Sequence, residues 1–101
     1  MDIEDVTVET FAGREGETFA IRFDDGTYEM TLASVDRMPE EWGRTDVREP
    51  FSVIFHGPVE HLIPQDTWAL EHDELGTLEL FVVPLGPEGE DGPLRYQAVF
   101  T

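Results

Sequence analysis

Three histidines are the residues of this chain best suited to chemistry. His56, His61 and His72 are its only imidazoles, and imidazole is a common zinc ligand. If the strands carrying His56 and His72 were neighbours and His61 came close, three nitrogens could hold a metal with an open fourth position. The spacing His56-x4-His61 is not a known metal signature. We therefore favour structural roles, in which His72, at a strand end, bonds the backbone of the next turn, and keep the metal site as the alternative.

Other catalytic patterns are not found in the sequence. The chain has no cysteine, which excludes a thiol nucleophile, a thiolate metal site and a disulfide framework. Its only serines, Ser34 and Ser52, do not lie in a nucleophile-elbow context. Asp66 and Asp73 lack the spacing of a calcium loop, and the glycine-rich stretch 86–92 lacks the lysine of a phosphate loop. These patterns predict no cofactor and favour a protein that is not an enzyme.

Net charge is the strongest compositional feature. Asp and Glu number 23 against six cationic residues, all arginine, which gives a net charge of −17. Such a surface repels phosphate backbones and anionic membranes, so neither nucleic acid nor a membrane is an expected partner. We favour a solvated surface adapted to high salt, since molar salt reduces the screening length to ~3 Å. A cation-binding or DNA-mimicking surface is the other interpretation, although the acids follow no defined spacing.

The sequence also bears on location and domain count. The acidic start Met1–Asp5 lacks the basic and apolar segments of a secretory signal. Apolar runs are far shorter than the ~20 residues that span a bilayer. With 101 residues and no cysteine, we expect one soluble, cytoplasmic domain covering residues 1–101.

Alternating apolar residues predict strands along most of the chain. Phe19, Ile21 and Phe23 alternate with polar residues, and Asp24-Asp25-Gly26 predicts a tight hairpin turn with positive φ. Further strands are predicted over 28–33, 51–56, 67–72, 78–83 and 94–100. The segment 59–65 crosses between two of these strands, and its Leu62 and Ile63 are expected to point inward. No helix is large enough to cover an open sheet, although 8–11 favours a short one. The fold class is therefore all-β, as a six-stranded antiparallel barrel or a two-sheet sandwich.

Two features are candidates for protein contact. The segment 36–49 has no alternation, predicts a long loop, and carries Trp42, a residue type common at binding hot spots. Phe81 and Val83 make the outer face of one strand apolar, and Ile54 does the same on another. A protein partner or a homo-oligomer is therefore expected at Trp42, Ile54, Phe81 and Val83.

Strand and turn motifs carry a family resemblance. The motifs are Phe51-Ser52-x-x-Phe55-x-Gly57-Pro58, Pro64-Gln65-x-Thr67, Leu70-x-His72-x-x-Leu75-Gly76-x-Leu78-x-Leu80-Phe81-x-Val83-Pro84 and Tyr96-x-Ala98-Val99-Phe100. They resemble a small uncharacterised domain family of bacteria. The resemblance implies an association with phage-tail-like and tail-collar proteins, and it brings no catalytic residue. A non-enzymatic accessory or assembly module is the function expected, and a small-ligand or metal-binding barrel using the histidines is the alternative.

Overall fold

A computed structural model describes residues 2–39 and 49–100. Within these ranges the chain forms a 3₁₀ turn at Ile3–Asp5, one short helix and six strands. In chain order the labelled elements are α1 (Val8–Phe11), β1 (Thr18–Phe23), β2 (Gly26–Arg37), β3 (Phe51–Gly57), β4 (Asp66–His72), β5 (Gly76–Pro87) and β6 (Leu94–Phe100).

The strands close into an antiparallel barrel in the order β1-β2-β3-β6-β5-β4. This result confirms the all-β prediction and decides for the barrel over the sandwich. Strands β4, β5 and β6 form a meander, and β3 pairs with β6 over seven consecutive residues. The ring is completed where β1 meets β4, and there the register joins only Ala20 to Glu71 and Ile21 to Leu70.

The interior of the barrel is filled by alternate side chains from all six strands. Met30, Phe55 and Leu70 have no exposed surface, and Leu80 has 1 %. Side chains of this size fill a narrow barrel without leaving a channel. The core therefore accounts for the alternation seen in the sequence.

Helix α1 closes one end of the barrel. Thr7 N–H donates a 3.0 Å hydrogen bond to Thr10 Oγ1 and so caps the first turn. The turn points Phe11 inward, where its ring lies 5.9 Å from that of Phe19 and 5.7 Å from that of Phe100. The N-terminal segment is thus part of the core.

The crossing segment between β3 and β4 closes the other end. Ile63 is 2 % exposed, and its N–H donates a 3.1 Å hydrogen bond to the Tyr96 hydroxyl. The hydroxyls of Tyr96 and Tyr28 lie 2.9 Å apart, and burial together with this bond raises the pKa of Tyr28. A Cβ at Gly57 would lie 2.5 Å from the Tyr28 hydroxyl oxygen, so β3 needs glycine at its last position, where the crossing segment begins.

Some local predictions need correction. Leu62 is 60 % exposed, because the bend that buries Ile63 turns its neighbour outward. Phe23 pairs with Gly26, so Asp24 and Asp25 form the hairpin loop, and only Gly26 there has positive φ.

Strand boundaries also differ from the prediction. β2 continues through a register shift to Arg37, inside the predicted loop, because β3 supplies partners as far as that residue. β5 likewise extends to Pro87. Among the described residues, no helix has the length and apolar character needed to cross a bilayer.

Candidate functional site: an outer apolar patch

The barrel places the three histidines at different points of the fold. β3 and β4, which carry His56 and His72, lie three strands apart in a ring of six, on opposite sides. His56 Nε2 lies 2.9 Å from Glu88 Oε2, and the His61 ring packs 5.4 Å from that of Tyr28. In the described ranges no group of three or more His, Asp or Glu side chains is placed to hold a metal ion. The metal alternative requires the strands of His56 and His72 to be neighbours, and in this barrel they are not.

His72 has the structural role that the sequence favoured. Its Nδ1 accepts hydrogen bonds from the N–H groups of Glu74 and Leu75, each 3.1 Å long. An acceptor nitrogen carries no proton, so the proton of the neutral ring lies on Nε2, which donates to Glu17 Oε1 at 2.7 Å. The side chain is 5 % exposed and its ring lies 4.6 Å from that of Phe19. Both ring nitrogens are thus engaged in hydrogen bonds within the chain.

Glu17 is held in its charged form by the same contacts. The hydrogen bond from His72, and then that from Arg14, lower the pKa of the Glu17 carboxyl. Arg14 Nη1 lies 3.2 Å from both Glu17 Oε1 and Glu74 Oε1. The pair of imidazole and carboxylate resembles part of a hydrolytic triad, but its bonds go to the backbone and to an arginine. It ties β1 to the turn after β4.

We call the junction of β1 and β4 the seam. Arg22 Nη2 bonds Glu71 Oε1 across it at 2.9 Å, in addition to the contact of Glu17 with His72. A concave surface of about 680 Å³ lies over the seam, and its lining includes these four residues. Because the four side chains are paired within the chain, their arrangement is explained by folding.

The opposite side of the barrel carries apolar side chains on its outer surface. Val83 pairs with Gln97 on β6, and Gln97 pairs with Ile54 on β3, which places the three on one outer row. Next to this row Phe81 is 53 % exposed and Val99 is 48 % exposed, while Ile54 and Val83 are half-buried. We call Ile54, Phe81, Val83 and Val99 the outer patch. Phe81, Val83 and Val99 are neighbours, and Gln97 separates Val83 from Ile54. Exposed apolar clusters of this kind mark protein interaction sites.

A groove runs along one edge of the outer patch. Its volume is about 310 Å³, and its lining includes Phe81, Val99, Thr67 and Ile3. Ile3 belongs to the N-terminal 3₁₀ turn, which packs beside β5 and leaves this side chain 40 % exposed. The groove gives the patch a concave margin that an apolar side chain of a partner can enter.

Arg95 borders the outer patch at the other end. Its neighbours across the sheet are His56 on β3 and Gly86 on β5. Within the described part of the chain, Arg95 forms no ion pair with a carboxylate, and its Nε is buried without a hydrogen-bond acceptor. The other described arginines each pair with glutamate; they are Arg14, Arg22 and Arg37. An arginine left unpaired in a chain of this net charge is chemically unusual.

The predicted contact residues can now be located. Ile54, Phe81 and Val83 lie together on one outer surface, and Trp42 lies outside the described residues. Sequence reasoning missed Val99 and Arg95, although both follow from the alternation of β6. Tyr96, Ala98 and Phe100 point inward, so the odd-numbered residues point outward.

Comparisons with known proteins establish a family. No curated protein and no solved structure gave a match. The model of a family described as a domain of unknown function, DUF6916, matches residues 6–100. This agrees with the general prediction of an uncharacterised domain family, and it covers the helix and all six described strands. The chain belongs to the DUF6916 family.

Proposed function

We propose that this protein is a non-enzymatic accessory or assembly module that acts through protein contacts at the outer patch. The observation that carries the proposal is that apolar side chains lie exposed on a barrel whose interior is already filled. Exposed aromatic and aliphatic side chains next to an arginine are typical of the centre of a protein interface. His56, His72 and the charged residues that bond across the seam, by contrast, already have partners in the chain.

A role in a phage-tail-like particle is the specific form of this proposal. Its support is the resemblance of the strand and turn motifs to a small uncharacterised bacterial family, which implies an association with phage-tail-like and tail-collar proteins. A small barrel with one exposed apolar surface suits an accessory subunit, because it can bind a larger assembly without changing its own fold. Identification of a tail, baseplate or collar protein at the outer patch would support this role.

Site-specific crosslinking tests the contact surface. A photoreactive residue replaces Phe81 in the outer patch, and the matched control replaces Glu29, an exposed residue of β2 on the seam side. We expect crosslinked protein in the native host at position 81 and none at position 29, with loss of the product in Val99→Asp. Equal products at both positions, or none at either, would contradict the proposal.

Salt adaptation is a second part of the proposal. A net charge of −17 on 101 residues opposes the compact state through repulsion. Molar salt screens this repulsion, so we expect the melting temperature to rise between low salt and molar KCl. A gain of ~1 kcal/mol would raise Tm by about 4–8 °C for a domain of this size. A flat Tm over that range, measured by circular dichroism, would argue against salt adaptation.

A further inference from the structure

We infer that the outer patch binds a basic segment of another protein, in which an apolar side chain is flanked by lysine or arginine. The inference rests on the proposed function, because it uses the same surface and specifies the chemistry of the partner. It is carried by carboxylates that border the apolar side chains at both ends of the patch.

At one end of the outer patch, the apolar groove adjoins an acidic concave surface. Glu79 lies on the outer face of β5, two residues before Phe81, and is exposed. Asp2, Glu4 and Glu79 line the acidic surface, whose volume is about 700 Å³. Ile3 and Glu79 line both this surface and the groove. A partner that places an apolar side chain in the groove therefore brings its neighbouring residues close to three carboxylates.

The carboxylates at this end differ from those at the seam in their partners. At the seam, arginine side chains bond Glu17 and Glu71. Among the residues that the structure describes, Asp2, Glu4 and Glu79 form no ion pair. Their negative charge is not compensated within this part of the chain, so it is open to a cation supplied from outside.

The other end of the outer patch is acidic as well. A hairpin loop follows β5 there, and Glu88 N–H closes it with a 2.9 Å hydrogen bond to the Pro93 carbonyl oxygen. The loop carries Glu88, Glu90 and Asp91, all of them exposed. Arg95 supplies one positive charge against these three carboxylates. The order along the surface is therefore acidic, apolar and acidic.

Charge of one sign at both ends determines which kind of partner fits. A second copy of this chain would bring an acidic end against an acidic end in either orientation, which is repulsive. Lysine and arginine side chains of a partner are attracted at both ends. Protein interfaces commonly combine an apolar centre with a polar rim. The partner surface that complements this one is therefore apolar at its centre and basic on both sides.

Three synthetic peptides serve as probes of this chemistry. The lysine peptide is short and fluorescent, with leucine at its centre and lysine at both ends. The glutamate peptide replaces its lysines with glutamate, and the serine peptide replaces its leucines with serine. Fluorescence anisotropy gives the dissociation constants, in KCl at a concentration where circular dichroism shows every variant to be folded. We expect the lysine peptide to bind more tightly than either of the others.

Exchange of charge between protein and peptide locates the binding. We expect Glu79→Lys to weaken binding of the lysine peptide by at least about threefold and to strengthen that of the glutamate peptide. Glu29→Lys is the matched control on the seam side, and it changes the net charge equally. Both glutamates are exposed and pair with an alanine of the neighbouring strand, Ala69 for Glu79 and Ala20 for Glu29. Phe81→Thr should weaken both leucine-containing peptides, because it removes part of the groove.

The outcomes separate this inference from the proposed function. Equal effects of Glu79→Lys and Glu29→Lys, or equal binding of the lysine and serine peptides, would overturn the inference. In the native host, the partner segment crosslinked at position 81 should carry more lysine and arginine than aspartate and glutamate. An acidic segment there, or a segment of this chain, overturns the inference and leaves the outer patch a contact surface. No product at position 81 contradicts the proposed function itself.

Discussion

The seam and the outer patch lie on opposite sides of one barrel and use opposite chemistry. At the seam the backbone ladder joins two residue pairs, and side chains supply further bonds, such as that of Glu17 with His72. At the junction of β3 and β6 the ladder joins seven consecutive pairs, and the outer side chains next to it are apolar and exposed.

The difference shows how folding roles and contact roles can be separated. The paired polar groups at the seam resemble a catalytic site in composition, yet they hold two strands together. Side chains of the outer patch form no catalytic pattern in the sequence. Their exposed surfaces contribute nothing to the packing of the barrel interior, so they are free to contact a partner. Substitutions at the seam should therefore change stability, and substitutions in the outer patch should change association.

The largest effect on stability is expected from substitution of His72. His72→Ala removes the acceptor for the N–H groups of Glu74 and Leu75 and leaves a gap beside Phe19. We expect a loss of ~2–4 kcal/mol in the free energy of unfolding, measured by urea titration.

Two matched variants separate the contribution of the turn contacts from that of the Glu17 contact. His72→Asn can still accept from the turn, and His72→Gln can still donate to Glu17, so each should retain part of the stability. If His72→Ala unfolds at the same urea concentration as the natural chain, the seam is not held by this residue.

A smaller effect on stability is expected when acid protonates the Glu17 carboxylate. The pKa of Glu17 is lower in the folded state than its ordinary value of 4.5. The unfolded chain therefore binds the proton more readily, so this carboxylate stabilises the fold above about pH 4.5 and stops doing so as pH falls through the folded pKa.

The variant Glu17→Gln isolates that contribution. It should be less stable than the natural chain near neutral pH and should approach it as pH falls below 4.5. Urea unfolding from pH 6 to pH 2 measures the difference. A constant difference across that range would show that the charge of Glu17 does not stabilise the seam.

The smallest effect on stability is expected in the outer patch. Phe81→Thr replaces a side chain that is 53 % exposed with another residue that favours strands. The free energy of unfolding should change by less than about 1 kcal/mol, while the contact at position 81 is lost. A loss as large as that of His72→Ala would mean that the outer patch belongs to the folding core and would remove the contrast between the two sides.

Much of this fold follows from local sequence. Alternation placed Phe19, Ile21, Leu78, Leu80 and Val82 inside, and the structure buries all five. Gly76 closes the turn between β4 and β5 with a positive φ of 77°, a conformation that glycine adopts without steric cost. Such features are readable because the side-chain period of a strand and the freedom of glycine are properties of a few adjacent residues.

The candidate site could be predicted only in part from the sequence. Ile54, Phe81 and Val83 could be assigned to outer faces, but the sequence does not say that β3 and β5 both flank β6. That order brings their outer side chains together and adds Val99 and Arg95. The same order separates His56 from His72, which the metal alternative required to be on neighbouring strands.

Composition and the period-2 alternation are local quantities, so they are enough to establish that this chain is acidic and all-β, with an interior filled by alternating apolar residues. Which strands are neighbours follows only from the folded barrel, since pairing depends on residues distant in the chain and on closure of the ring. Closure bound the charged groups of the seam to each other and left the apolar side chains of the outer patch exposed on the opposite side.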